Sequence, residues 1–303
     1  TPQLIYNAYM RIFITGATGL LGRRVVHALH SKEHEVIIVS RNATRAYEHF
    51  NNASVEILEA DVTQQGDWQT TASESDAIVH LAGAGIVDRR WTKSYKEVLL
   101  TSRIESTKRV AEVANKILVC ASAVGYYGDC GNQELTEQDP AGNDFLARLC
   151  SQWEAAAQSA NGRVVNLRFG MILDKQGGAL AKMLPLFRLG LGGPVGSGNQ
   201  YWPWIARQDA CNVVQDALHQ DWEGAINVVA PEQVTSKEFA RTLGRTMKRT
   251  AFFKAPAFAL RILIGEGSRV LTVSQRVIPS VLLEKGFQFQ FPSLKDGIAN
   301  NLK

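Results

Sequence analysis

Short, continuously apolar runs alternate with longer amphipathic stretches through the first half of the chain. Arg11 to Thr15, Val36 to Val39, Val55 to Leu58, Ala77 to Leu81, Ile117 to Ala121 and Val164 to Phe169 are the runs. Stretches this short with no polar alternation predict strands covered on both faces, as parallel strands between helical layers are. After the first run, apolar residues at 20, 21, 25, 26 and 29 follow a helical period. Tyr95 to Asn115 is long enough for the crossover that joins parallel strands. The pattern predicts an α/β fold built on a doubly wound parallel sheet.

Beyond Gly170 the alternation weakens. A glycine-rich stretch, Leu189 to Gly198, leads into Tyr201, Trp202, Pro203 and Trp204, and reads as a loop-rich ligand lobe whose indoles suit a flat or apolar partner. Ala225 to Val229 is expected to rejoin the main sheet. Ser236 to Met247 and Ala257 to Ile264 read as helices, and Phe287 to Phe291 as a short terminal strand. The expected organisation is a nucleotide-binding domain over residues 10–170, then a smaller C-terminal substrate lobe over 171–303 with some segments returning to the sheet. Residues 1–9, before Met10, are read as a leader or cloning remnant outside the fold.

Composition narrows the function classes. Of 303 residues, 33 are Lys or Arg and 29 Asp or Glu, with no basic run longer than two, so no nucleic-acid footprint is present. Cys120, Cys130, Cys150 and Cys211 form no CxxC pair, and His27, His30 and His34 have no completing carboxylate, so no metal is expected. No apolar run reaches membrane-spanning length and no signal-peptide layout stands at the N-terminus. The expectation is a cytoplasmic monomer or homodimer acting on a small-molecule substrate, away from membranes. A GxSxG elbow is absent, which argues against a serine hydrolase.

Gly16, Gly19 and Gly22 form GxxGxxG between the first strand and the first helix. Glycines there permit a tight turn and close approach to a pyrophosphate, which the helix N-terminus favours through its free N–H groups and dipole. This context identifies the sheet as Rossmann-type. At the end of the second strand an acidic residue would bind the ribose diol of NAD, and a basic one the 2′-phosphate of NADP. Ser40 and Arg41 occupy that end. Arg41 offers a planar donor fork and Ser40 a further donor, so NADP(H) is the expected cofactor.

These residues resemble the short-chain dehydrogenase/reductase superfamily in its extended form, specifically its atypical epimerase-family branch. The resemblance rests on ITGATGLLG at 14–22, VSRN at 39–42, HLAGAGI at 80–86, RRW at 89–91, KEVLLTSR at 96–103, SAVGYYGD at 122–129, WEAAA at 153–157 and the block at 183–205. It implies that Thr18, Leu20 and Leu21 join the three glycines at the phosphates. It also implies Asp61 and Val62 near the adenine, and Leu81, Ala82 and Gly83 beneath the cofactor. Glu97 and Arg103 would lie on a helix facing it, and Gly170 and Ile172 would border the nicotinamide.

The resemblance also exposes a departure. The superfamily uses Tyr-x-x-x-Lys on the helix after the fifth strand, the Lys lowering the Tyr pKa for proton transfer. Counting back from Glu154 places Cys150 at the Lys position and Leu146 at the Tyr position, and neither does that chemistry. Ser122, at the position of the polarising hydroxyl, and Tyr126 remain as catalytic candidates, with Tyr127 beside them. A second departure is Ala206, Arg207 and Gln208, where the family reads His, a β-branched residue and an acid. The reading is an NADP(H)-dependent oxidoreductase. The alternatives are a nucleotide-sugar epimerase and a non-catalytic NADPH-sensing regulator.

Overall fold

The computed structural model describes residues 9–50, 54–255, 262 and 265–302. Strands and helices alternate from the start: β1 (Arg11–Thr15), α1 (Leu20–His30), β2 (Glu35–Ser40), α2 (Ala43–Phe50), β3 (Glu56–Glu59), α3 (Trp68–Ser73), β4 (Ala77–His80) and α4 (Lys93–Leu100). A π-helical turn, Thr101–Glu105, joins α4 to α5 (Ser106–Ala111). Then come β5 (Ile117–Ala123), β6 (Glu134–Leu135), α6 (Phe145–Ala157) and β7 (Arg163–Phe169). The second half holds β8 (Met171–Leu173), α7 (Gly178–Arg188), β9 (Trp204–Ala206), α8 (Arg207–His219), β10 (Gly224–Val228), α9 (Ser236–Thr246) and β11 (Arg276–Val277).

Seven strands form one sheet in the order β10-β7-β5-β4-β1-β2-β3, and every pairing in it is parallel. The chain runs outward from β1 to β3, then restarts at β4 on the other side of β1. Ligands of such sheets sit in the crevice at that switch point, outside the carboxyl ends of the strands. The apolar runs of the sequence are the buried strand centres: Ile12 to Ile14, Val36 to Ile38, and Leu118 with Val119 are almost wholly shielded. Val25, Val26 and Leu29 of α1 share one core with Val213 and Val214 of α8. Val110 of α5 and Trp153 of α6 belong to the core on the opposite face. As expected, the segment around Ala225 to Val228 returns to the sheet, as edge strand β10.

Two expectations for the second half are corrected. Phe287 to Phe291 is not a strand: Gln290 and Phe291 give their amides to the buried Asp209 carboxylate at 2.8 and 3.0 Å, and Phe287 and Phe289 pack edge to face. Trp202 and Trp204 do not face a ligand. Both are buried in the core of the smaller lobe, their indole N–H groups bonded to the carbonyls of Leu271 and Glu232. The helix expected over Ala257 to Ile264 lies outside the described residues, Ile262 apart.

Two buried imidazoles, His80 and His34, and the half-buried His219 make the fold acid-sensitive. His80 is wholly buried and its pKa is pushed down to about 3, while burial lowers His219 to about 4 and also lowers the stacked His34. The folded values lie below the unfolded value near 6.5, so the unfolded chain binds more protons in between. Their contribution is fully present above about pH 6.5 and is lost as pH falls through the window. Urea titrations should show stability dropping from pH 7 to pH 4 by about 3 kcal/mol from His80 alone. A flat profile over that range contradicts a neutral, buried His80.

Candidate cofactor site and the dyad position

The loop after β1 is shaped by two tight approaches. Gly16 has φ +69°, and a Cβ there would lie 2.5 Å from the Leu81 carbonyl carbon, because the β1 loop passes directly against the exit of β4. A Cβ on Gly22 would lie 2.3 Å from the Gly16 oxygen. Gly19 is different. It caps α1 in extended conformation, is exposed, and a Cβ there would meet only the Gly16 oxygen, at 3.1 Å. Packing therefore accounts for Gly16 and Gly22, while at Gly19 a single backbone oxygen crowds the Cβ position and the exposed face beyond it fits a ligand that needs close backbone approach. No side chain caps α1, so its first-turn N–H groups are available to phosphate oxygens.

Buried hydrogen bonds hold this crossing. The Thr15 hydroxyl accepts from the Ala82 amide at 3.2 Å and lies 2.7 Å from His80 Nδ1, while His80 Nε2 lies 3.2 Å from Ser106 Oγ. Ser106 Oγ gives its hydrogen to the Ser102 carbonyl at 2.8 Å, so it accepts from a protonated Nε2, and Nδ1 accepts from the Thr15 hydroxyl. This fixes Leu81 and Ala82 beside Gly16. Gly83 follows, exposed, with a Cβ position 3.3 Å from the Arg103 guanidinium carbon.

The other expected cofactor residues divide. Leu20 packs on Gly177 at the start of α7, where a Cβ would lie 2.9 Å from its side chain, and the next residue, Gly178, approaches the Ile172 carbonyl. Thr18 is half-buried and Leu21 buried. Gly170 is wedged where β7 passes into β8, its Cβ position 2.8 Å from the Pro203 oxygen. Arg41 stands exposed at the exit of β2. Ser40 is not the free donor expected: its hydroxyl bonds the Asn42 carbonyl at 3.0 Å and accepts from the Asn42 amide, closing a turn. Asp61 accepts from the amide and hydroxyl of Thr63, and Val62 is buried in the sheet core. Glu97 and Arg103 are not brought together, because Glu97 is on the exposed side of α4 and Arg103 is buried.

On α6, Asp144 caps the first turn by accepting from the Ala147 amide. Leu146 and Cys150 then face the turn after β5: a Cβ on Gly125 would lie 3.4 Å from Leu146 Cβ and 3.7 Å from Cys150 Sγ. Burial pushes the Cys150 thiol up to about 12, so it is no thiolate at neutral pH. The Ser122 hydroxyl, a candidate polarising donor, is already engaged. Its hydroxyl bonds Glu154 Oε1 at 2.6 Å, and Arg168 grips the same carboxylate with two bonds of 2.8 Å. Arg168 also donates to Tyr127 Oη at 2.9 Å, and Tyr127 donates to Asn227 Oδ1 at 2.7 Å. Burial pushes the Tyr127 phenol up to about 12.

Tyr126 differs from its neighbour. It is half-buried with the Arg168 guanidinium 3.5 Å from its ring centroid, and no described residue bonds its hydroxyl. Arg207 ion-pairs with the buried Asp174, so it is not a free anion contact. The Ser122–Glu154–Arg168 cluster was missed in the sequence. Its signal was Arg168 in the apolar run Val164 to Phe169, since a cation in a strand buried on both faces needs a carboxylate partner.

An all-parallel sheet with this order, a glycine loop against its switch point and an uncapped helix above it defines a Rossmann-type nucleotide-binding protein. A profile of the NAD dependent epimerase/dehydratase family matches residues 12–229, and one described as a domain of unknown function, DUF1731, matches 255–300. The chain is 36% identical to the chloroplastic SDR39U1 homolog of Arabidopsis thaliana, covering 96% of this chain and 86% of that protein. It is 37% identical to epimerase family protein ML0860 of Mycobacterium leprae, covering 95% and 94%. The crystal structure of human epimerase family protein SDR39U1 (isoform2) with NADPH matches with a TM-score of 0.84 at 33% identity, covering 96% of this chain and 98% of that one. The chain belongs to the NAD dependent epimerase/dehydratase family, in its epimerase-family, SDR39U1-type branch.

Proposed function

We propose that this chain is an NADP(H)-dependent oxidoreductase of small molecules that works without the Tyr-x-x-x-Lys dyad. The observation that carries the reading is the cleared, uncapped N-terminus of α1 at Gly19, with Arg41 at the exit of β2. The human relative solved with NADPH supports the same cofactor. Gly16, Thr18, Gly19, Leu20, Leu21 and Gly22 would hold the pyrophosphate, Arg41 the 2′-phosphate, and Asp61 with Val62 the adenine. Leu81, Ala82, Gly83, Gly170 and Ile172 would flank the remainder of the dinucleotide.

NADPH, when bound, supplies a hydride. The chain's part is to seat an acceptor and provide a proton, and Tyr126 Oη is the group available for that. Ser122 cannot donate to an acceptor while its hydrogen is on Glu154. With Leu146 and Cys150 at the dyad positions, no base takes a proton from a sugar hydroxyl, so the reading is reduction of an electron-poor carbonyl or quinone and not epimerisation. UDP-sugar epimerisation should be undetectable, while slow NADPH oxidation with such acceptors should fall further in Tyr126→Phe. Efficient epimerisation would refute the argument from the missing base. The occupied Ser122 hydroxyl favours a second reading, an NADPH-sensing regulator, which gains if no acceptor turns over and a protein partner binds only with NADPH present.

Cofactor choice tests the first half of the reading. Calorimetric titration should give tighter binding of NADPH than of NADH, and Arg41→Ala should cost NADPH about 1.5 to 3 kcal/mol, as for a hydrogen bond to a charged group. Equal affinities for the two cofactors would remove Arg41 from the site.

A further inference from the structure

The glycine-rich block after α7 runs alongside the segment that follows α9. Arg249 Nε donates to the Arg188 carbonyl at 3.0 Å, the Thr250 hydroxyl to the Gly190 carbonyl at 3.4 Å, and the Gly196 amide to the Ala255 carbonyl at 2.9 Å. Glycine makes this approach possible, since a Cβ on Gly193 would lie 2.1 Å from the Phe253 oxygen. The two segments therefore form one surface of the smaller lobe. Leu186, Leu189, Leu191, Phe252 and Phe253 all stand exposed on it, Leu189 by 72% and Phe252 by 66%, and the two phenyl rings stack with centroids 4.6 Å apart. These five are half of the ten large apolar side chains exposed among the described residues, so they make a patch and not a scatter.

The charge around the patch has one sign. No Asp or Glu occurs from 175 to 208 or from 239 to 255, while Arg188, Arg245, Lys248, Arg249 and Lys254 fall in those stretches. All five are exposed, and among the described residues none of them forms an ion pair. A second copy of the chain would set these cations against their equals, so the face repels itself. An acidic partner protein would answer the charge and leave apolar side chains from two segments to find separate pockets. An anionic bilayer answers both, because long cationic side chains reach its headgroups while leucines and phenyl rings enter the boundary with the acyl chains.

We propose that residues 186–191 and 249–254 form a docking face for the surface of an anionic lipid bilayer. The contact is peripheral: among the described residues no helix is long and apolar enough to cross a membrane. The expectation of a chain working away from membranes followed from the lack of a span, which does not bear on surface contact. This face is independent of the cofactor reading. It gives the glycine-rich block a use, since Trp202 and Trp204 turn inward to the core of the lobe while Leu189 and Leu191 turn outward.

The test sediments the full chain with vesicles of phosphatidylcholine alone and of phosphatidylcholine and phosphatidylglycerol in about equal parts. The anionic vesicles should be bound at least about tenfold more tightly, and the preference should fade as salt is raised, since screening weakens attraction to a charged surface. Phe252→Ser with Phe253→Ser removes apolar contact, and Lys248→Glu with Lys254→Glu reverses charge at two exposed side chains. Each pair should weaken binding to the anionic vesicles at least about tenfold, with the circular dichroism spectrum unchanged. Absence of vesicle binding overturns the proposal, as do equal binding to both kinds of vesicle and binding that neither pair of substitutions alters. Self-association in sedimentation velocity that is lost in the phenylalanine variant also overturns it, and assigns the patch to a second copy.

Discussion

Gly19→Val should abolish binding of both NADPH and NADH while the chain stays folded. A valine side chain would project into the open space above the first turn of α1, where pyrophosphate oxygens need to reach the N–H groups. The fold needs only a small adjustment, since a Cβ at Gly19 crowds one backbone atom, the Gly16 oxygen at 3.1 Å. The same change at Gly22 should instead compromise folding, because a Cβ there would lie 2.3 Å from that oxygen. Circular dichroism and cofactor titration on the two variants separate the effects. A folded Gly19→Val that binds NADPH at the unaltered affinity would mean the phosphates lie elsewhere.

Glu154→Ala should be the most destabilising single change around the dyad position. It strands Arg168, whose side chain is only 4% exposed, and releases the Ser122 hydroxyl into a buried space. Removing one partner of a buried pair costs about 3–5 kcal/mol, because the other charge remains without compensation. Ser122→Ala should cost only about 1 kcal/mol, the loss of one hydrogen bond with the ion pair left intact. Urea unfolding of both variants measures the contrast. If the two losses are equal, the carboxylate is not what keeps Arg168 in the sheet.

The strands were legible because parallel strands buried on both faces must be apolar at every position, so Val36 to Val39 or Ile117 to Ala121 stands out without a homologue. The phosphate loop was legible for a related reason: its glycines answer to local crowding between β1, α1 and Leu81. The state of Ser122 was not. Its hydrogen goes to Glu154, 32 residues away, and that carboxylate is held by a strand reached only after a further turn of chain. The turn at Ser40 was illegible for a local reason, since a hydroxyl two residues before Asn42 closes a turn as readily as it waits for phosphate. Trp202 and Trp204 misled because an aromatic cluster in a glycine-rich block looks the same whether it faces a ligand or a core.

The neighbourhood of position 150 also constrains the order in which mutations could be accepted. Lysine at 150 alone would put an unpaired cation into a buried position, one turn from a carboxylate already satisfied by Arg168 and Ser122. Tyrosine at 146 alone would press a phenol into the contact between Leu146 and the turn at Gly125. Each substitution alone is thus disfavoured before the other can help. A tyrosine and a lysine at these two positions would therefore have to enter together, with the Ser122–Glu154–Arg168 cluster repacked around them.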